Sequence, residues 1–159
     1  AHADLARSVF PAGTNGVQLD AITRRPLWQA GMDYGHGTGH GVVHMLGVHE
    51  GPVSLSKRGG KPVEPGHILS NEPGYYETGA FGIRHENLVH VTHAPQQGML
   101  CFETLTLCPF DMDLIDKRYL TASQLEWVDA YHADVYETLS PHLNAKLAAW
   151  LAEQTAPLS

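Results

Sequence analysis

The stretch His67–Thr92 reads HILSNEPGYYETGAFGIRHENLVHVT, and its punctuation decides the fold. An apolar entry, His67 to Ser70, runs into Asn71-Glu72-Pro73-Gly74-Tyr75-Tyr76, and Glu77-Thr78-Gly79-Ala80 then carries hairpin-turn chemistry. The alternation over Ile83–Thr92 predicts one strand. Ile83, His85, Asn87, Val89 and Val91 lie on one face, with Arg84, Glu86, Leu88 and His90 on the other. Arg84 and Glu86 therefore share a side.

Working outward, Tyr34 to Gly51 is too rich in Gly and His for a stable helix and reads as loop and strand, and Lys57 to Gly66 is a polar turn. Farther upstream, Asp4–Val9 suits a helix. So does Val17–Ala30, where Pro26 argues for a kink or an earlier end and Gly31 is placed to stop the element. Both helices are read as a covering layer. Downstream, Leu100–Leu107 reads as a further strand. Thr121 with Gln124 three residues later resembles a capping box, opening a helical stripe of Leu125, Val128, Tyr131, His132, Val135 and Leu139, and a last helix spans Leu143–Ala152. The stripe with Trp127 reads as core or subunit interface. The order of elements predicts an α/β (α+β) chain.

A chain of 159 residues, 43% of them hydrophobic, has material for one ordinary core. With 17 acidic against 10 basic residues and no basic run, nucleic acid is excluded as a partner. No stretch approaches the ~18 apolar residues of a membrane span. Cys101 and Cys108 read as free thiols, which suits a cytoplasmic protein. The opening Ala1-His2-Ala3-Asp4, without an initiator Met, reads as an excised segment.

The chemistry is carried by acids and imidazoles set beside glycines: His36-Gly-Thr-Gly-His40, His49-Glu50-Gly51-Pro52, Glu72-Pro73-Gly74 and Arg84-His85-Glu86-Asn87. Each fragment alone has an ordinary explanation. Pro-Gly makes a turn that leaves Glu72 exposed, and a strand Glu such as Glu86 commonly faces solvent. Together, and in this order, the segments Tyr34–Gly41, Val48–Pro52, Asn71–Glu77 and Gly79–Arg84 resemble the pita-bread metallopeptidases, specifically their aminopeptidase P branch. The closing stretch from Leu105 through Trp150-Leu151 resembles the extra carboxy-terminal segment of the long cytosolic type.

The resemblance implies the second half of a pita-bread fold, a curved, mainly antiparallel sheet with outer helices and a helical tail. Residues 1–107 would be the carboxy-terminal half of a catalytic domain, and 108–159 a helical extension forming a homodimer. It implies His40, Glu72 and Glu86 as metal ligands for two divalent ions, manganese in this branch with cobalt or zinc as alternatives, a donor set that suits such ions. Water rather than a side chain would be the nucleophile, and Glu72 would also take its proton. His36 and His49 would hold the substrate carbonyl, and Arg84 would orient a ligand carboxylate. The substrates would be peptides with proline at the second position. His44, His67, His90, His93, His132 and His142 match no ligand position, and His85 stands where the family more often has an aliphatic residue, so altered packing is expected there.

The family's two Asp ligands are expected upstream of Ala1, because Asp4, Asp20 and Asp33 lie in helix or helix-end contexts. The segment by itself is then expected to be inactive, with apolar sheet surface that invites self-association. The competing readings are a non-catalytic peptide-binding pita-bread module and a prolidase- or creatinase-type hydrolase.

Overall fold

The structure, a computed structural model, describes residues 1–43, 45 and 47–158; His44 lies outside the described residues. The chain forms two compact units, Ala1–Thr106 and Leu107–Ser159.

In the first unit α1 (His2–Ala6) leads to β1 (Val9–Pro11), so the expected helix stops before Val9. Tertiary pairing overrides local preference here: Val9 and Phe10 register against Cys101 and Leu100, and Phe10 is buried with Phe102, ring centroids 5.1 Å apart. Helix α2 (Gly16–Gln29) starts at a capping box formed by Asn15 and Gln18. It passes through Pro26 without ending and closes at Ala30, where the Met32 N–H returns to the Leu27 carbonyl and Gly31 adopts φ +74°.

The strands that follow are β2 (Gly39–Gly41), β3 (Glu50–Leu55), β4 (Ile68–Asn71), β5 (Gly74–Glu77), β6 (Phe81–Arg84), β7 (Asn87–His93) and β8 (Met99–Thr104). Six form one antiparallel sheet in the order β1-β8-β7-β4-β2-β3, and β5 with β6 forms a separate hairpin whose turn holds Gly79 at φ +75°. The single strand expected over Ile83–Thr92 is therefore two. Arg84 pairs with Gly74 in the hairpin, Asn87 pairs with Asn71 in the large sheet, and His85-Glu86 spans the change of partner. The alternation holds within β7, where Asn87, Val89 and Val91 are buried while Leu88 and His90 are half-buried, but not in β6, whose residues including Ile83 are all exposed.

The core of this unit gathers Leu5, Phe10 and Leu19 over Val53, Leu55, Leu69, Val89, Val91, Leu100 and Phe102. Beside it lies a buried ionic cluster. Arg24 of α2 is 1% exposed; its Nε donates to Asp20 at 2.8 Å, and its Nη1 donates to Asp33 at 2.6 Å and to the Tyr34 carbonyl at 2.8 Å. Its Nη2 donates to the His36 carbonyl at 2.5 Å, and the guanidinium stacks 3.8 Å from the Tyr34 ring centroid. Burial pushes the Tyr34 phenol up to about 12, and its hydroxyl shares a hydrogen bond with Thr38. Burial works against the charge of Asp33. Hydrogen bonds from Lys57, Arg24 and the Tyr34 N–H outweigh it and hold the carboxyl well below the usual range.

The second unit contains α3 (Ala122–Leu139), capped as expected by Thr121 and Gln124, and α4 (Ala145–Gln154). Tyr131, Val135 and Leu151 are its buried centre, with Leu107, Phe110, Trp127, Tyr136, Leu139 and Leu143 packed against them. Trp127 stacks on Tyr131 at 5.6 Å, so the aromatic stripe is core. His132 is fully buried and accepts the Phe110 N–H at 3.0 Å, a structural histidine. Both cysteines are free. No described helix is long and apolar enough to cross a membrane.

Two outcomes follow for the intact protein. Leu69→Ala, which opens a cavity under β4, is expected to cost about 2–5 kcal/mol in urea denaturation, whereas Leu114→Ala, at a residue 77% exposed, changes stability by less than about 0.5 kcal/mol. Because the Asp33 carboxyl is depressed in the folded state, its contribution is present above the unfolded value of about 3.9 and is lost as pH falls through the folded one. Asp33→Asn therefore lowers stability at pH 7 by about 1 kcal/mol and flattens the acid limb of the stability–pH curve below pH ~4.

Candidate metal centre

The site forms where the β4–β7 ladder breaks. The register pairs Asn71 with Asn87 and resumes in the hairpin with Gly74 paired to Arg84, leaving Glu72-Pro73 facing His85-Glu86. Pro73 has no N–H to give to a ladder. The Glu72 N–H turns instead to the Thr38 carbonyl at 2.8 Å.

His40 is delivered from the other side by β2. Gly39 admits no side chain, since a Cβ there would lie 1.9 Å from the Ser70 carbonyl oxygen, and this close approach brings β2 onto β4. The His40 N–H donates to Ser70 Oγ at 3.0 Å, and the ring Nδ1 donates to the Gly41 carbonyl at 3.0 Å. Nε2 of the same ring stands 3.2 Å from Glu72 Oε1. The β2–β3 register slips between His40 and Gly41, so that His40 opposes Ser54 while Gly41 opposes Glu50. The slip brings the exposed His49 ring to 4.4 Å from that of His40.

Arg84 joins the two carboxylates. Its Nε stands 3.8 Å from Glu72 Oε2 and 3.5 Å from Glu86 Oε2, while Nη1 donates to the Tyr76 hydroxyl at 3.3 Å. Tyr76 lies 2.8 Å from His36 Nε2, and His36 Nδ1 donates to the Gly37 carbonyl at 2.7 Å, so Tyr76 donates onward to the imidazole. The hydrogen bond to Tyr76, followed by Glu86 and Glu72, holds the Arg84 guanidinium above its ordinary value.

Two chains of contact thus run through the site, His40–Glu72–Arg84–Glu86 and Arg84–Tyr76–His36. Among the described residues no three of His, Cys, Asp or Glu converge as a closed metal-binding group. The donor chemistry nevertheless fits a divalent cation: His40 Nε2 and Glu72 Oε1 stand 3.2 Å apart, and imidazole nitrogen with carboxylate oxygen suits a borderline-to-hard ion.

Sequence reasoning missed Ser70, which sits two positions before Glu72 and so shares its strand face. It also missed Tyr76, which alternates in step with Gly74 opposite Arg84. Asp20 and Asp33 are bound to Arg24, and Asp4 pairs with Arg7 at 3.3 Å. His85 packs against His2, whose Nδ1 lies 3.2 Å from the His85 carbonyl, and burial lowers the pKa of both rings.

Residues 1–93 match the model of metallopeptidase family M24, and residues 98–158 match the carboxy-terminal region of the same peptidases. The chain is 46% identical to aminopeptidase P2 of Arabidopsis thaliana over 99% of its own length and 24% of that protein. It is 43% identical to a probable Xaa-Pro aminopeptidase P of Laccaria bicolor, covering 99% of the chain and 26% of that protein. The chain therefore spans about a quarter of the length of the curated relatives it matches. Among solved structures, X-prolyl aminopeptidase of Caenorhabditis elegans, described as a cytosolic enzyme with a di-nuclear active site, superposes with a TM-score of 0.94. It is 39% identical and covers 99% of this chain and 27% of that one. The Xaa-Pro dipeptidase of Bacillus anthracis, 34% identical, gives 0.57 over 68% of this chain and 28% of its own. Family models that match residues 1–93 and 98–158, and relatives alike over 99% of the chain, place it in one family: it belongs to metallopeptidase family M24.

Proposed function

We propose that the intact protein is a metal-dependent aminopeptidase that hydrolyses the amino-terminal Xaa-Pro bond of peptides. The observation that carries this reading is the line His40–Glu72–Arg84–Glu86, in which the His40 imidazole faces Glu72 while the Glu72 and Glu86 carboxylates share the Arg84 guanidinium. The Arabidopsis, Laccaria and Caenorhabditis proteins, whose names state the same activity, support it.

In this reading His40, Glu72 and Glu86 hold two divalent ions, manganese foremost and cobalt or zinc as alternatives, together with ligands from the rest of the protein. When bound, the ions activate water and polarise the scissile carbonyl. Glu72 is the proton carrier: half-buried, fixed through its own N–H by Thr38, it takes a proton from the attacking water and returns one to the leaving proline nitrogen. Arg84 orients Glu72 and Glu86. His36 and His49 receive the substrate carbonyl. Residues 1–107 act as the carboxy-terminal half of the catalytic domain and 108–159 as an extension through which the protein forms a homodimer. A cytoplasmic location agrees with the free thiols and with the cytosolic Caenorhabditis neighbour.

The test is steady-state hydrolysis of an Arg-Pro-Pro-type peptide by the intact, manganese-loaded protein. His40→Ala and Glu72→Gln are each expected to lower kcat/KM by at least about 10³-fold, and His36→Ala to lower kcat by about 10²-fold. Chelation abolishes turnover and Mn²⁺, Co²⁺ or Zn²⁺ added back restores it in the order of preference. Full turnover by His40→Ala would end the metallopeptidase reading.

A further inference from the structure

Two site residues are held from behind by the same buried cluster. Asp20, Arg24 and Thr38 are 2%, 1% and 0% exposed. The Thr38 hydroxyl donates to Asp20 Oδ1 at 2.5 Å, and the Thr38 carbonyl accepts the Glu72 N–H at 2.8 Å. Asp20 is in turn gripped by Arg24, whose Nη2 holds the His36 carbonyl. From α2, then, one arm runs Arg24–Asp20–Thr38–Glu72 and the other Arg24–His36.

We infer that Arg24, Asp20 and Thr38 are positioning residues for the metal centre, with Thr38 fixing Glu72 and Arg24 fixing His36. The inference rests on the peptidase reading for its effect on turnover, but its structural content concerns Glu72 as an ion ligand.

Three features argue for more than ordinary stability. Glu72 sits where the ladder is broken by Pro73, so its strand neighbours do not fix its backbone and the Thr38 carbonyl is the partner its N–H finds. Arg24 makes four directed hydrogen bonds in a planar fork, a geometry that lysine cannot reproduce. The 33–38 segment that these bonds hold is the one that carries His36 and leads into His40. An apolar helix face would bury the same surface without specifying where those two imidazoles stand, whereas fully satisfied polar networks set a single geometry.

The experiment compares wild type, Thr38→Val, Thr38→Ser and Arg24→Lys in the intact protein. It measures manganese affinity by titration calorimetry, turnover of an Xaa-Pro peptide at saturating manganese, and thermal midpoint. Thr38→Val is expected to weaken Mn²⁺ binding about 10-fold and to lower kcat about 10- to 100-fold with KM within about 3-fold, and Thr38→Ser to recover most of both. Arg24→Lys, a second route should Thr38→Val not fold, is expected to lower kcat by a similar factor. A folded Thr38→Val or Arg24→Lys protein with a reduced thermal midpoint but wild-type manganese affinity and kcat overturns the inference. If Thr38→Val weakens manganese binding while wild type cleaves no Xaa-Pro peptide, the positioning role stands and the peptidase reading falls. If wild type binds no manganese, both fall.

Discussion

A proline without an amide hydrogen interrupts the central sheet at the place where the chemistry gathers. Pro73 cannot extend the β4–β7 ladder, so the two chains part after Asn71 and Asn87 and meet again in the β5–β6 hairpin. Each leaves one carboxylate at the gap, Glu72 on one side and Glu86 on the other. The break also frees the Glu72 N–H to be claimed by Thr38, which links the site to helix α2.

Charge then decides how the gap is filled. Two carboxylates that flank one gap need compensating positive charge. In the polypeptide itself Arg84 supplies part of it, lying between Glu72 and Glu86 while its second arm reaches Tyr76. Tyr76 passes that contact to His36, so the group that orients the acids and the group placed to meet a substrate carbonyl belong to one hydrogen-bonded chain. His40 is oriented by Ser70 and by its own Gly41 carbonyl, without help from Arg84. The centre is thus assembled from short-range backbone constraints and completed by one shared cation.

Much of this was legible in the residues. The capping box at Thr121, the turn at Gly79 and the buried alternation of Asn87, Val89 and Val91 are local rules, and they stand as read. Where the reading went astray, long-range pairing won. Val9 left its helix to pair with Cys101, and Ile83–Thr92 divided because its two halves answer to different partners.

The sequence by itself determined the ligand types, their order and the glycines and proline around them, because residue identity and local backbone freedom are properties of a few consecutive positions. It placed Arg84 beside Glu86 as well, although through a strand alternation that the change of partner at His85-Glu86 interrupts. Only the tertiary structure decided that Asp20 and Asp33 belong to Arg24 and that Tyr76 bridges Arg84 to His36. It alone showed that Thr38 holds Glu72 from 34 positions away in the chain. Those contacts join segments whose spacing carries no periodic signal, and those of Arg24 exist because a buried guanidinium must find partners for its donors.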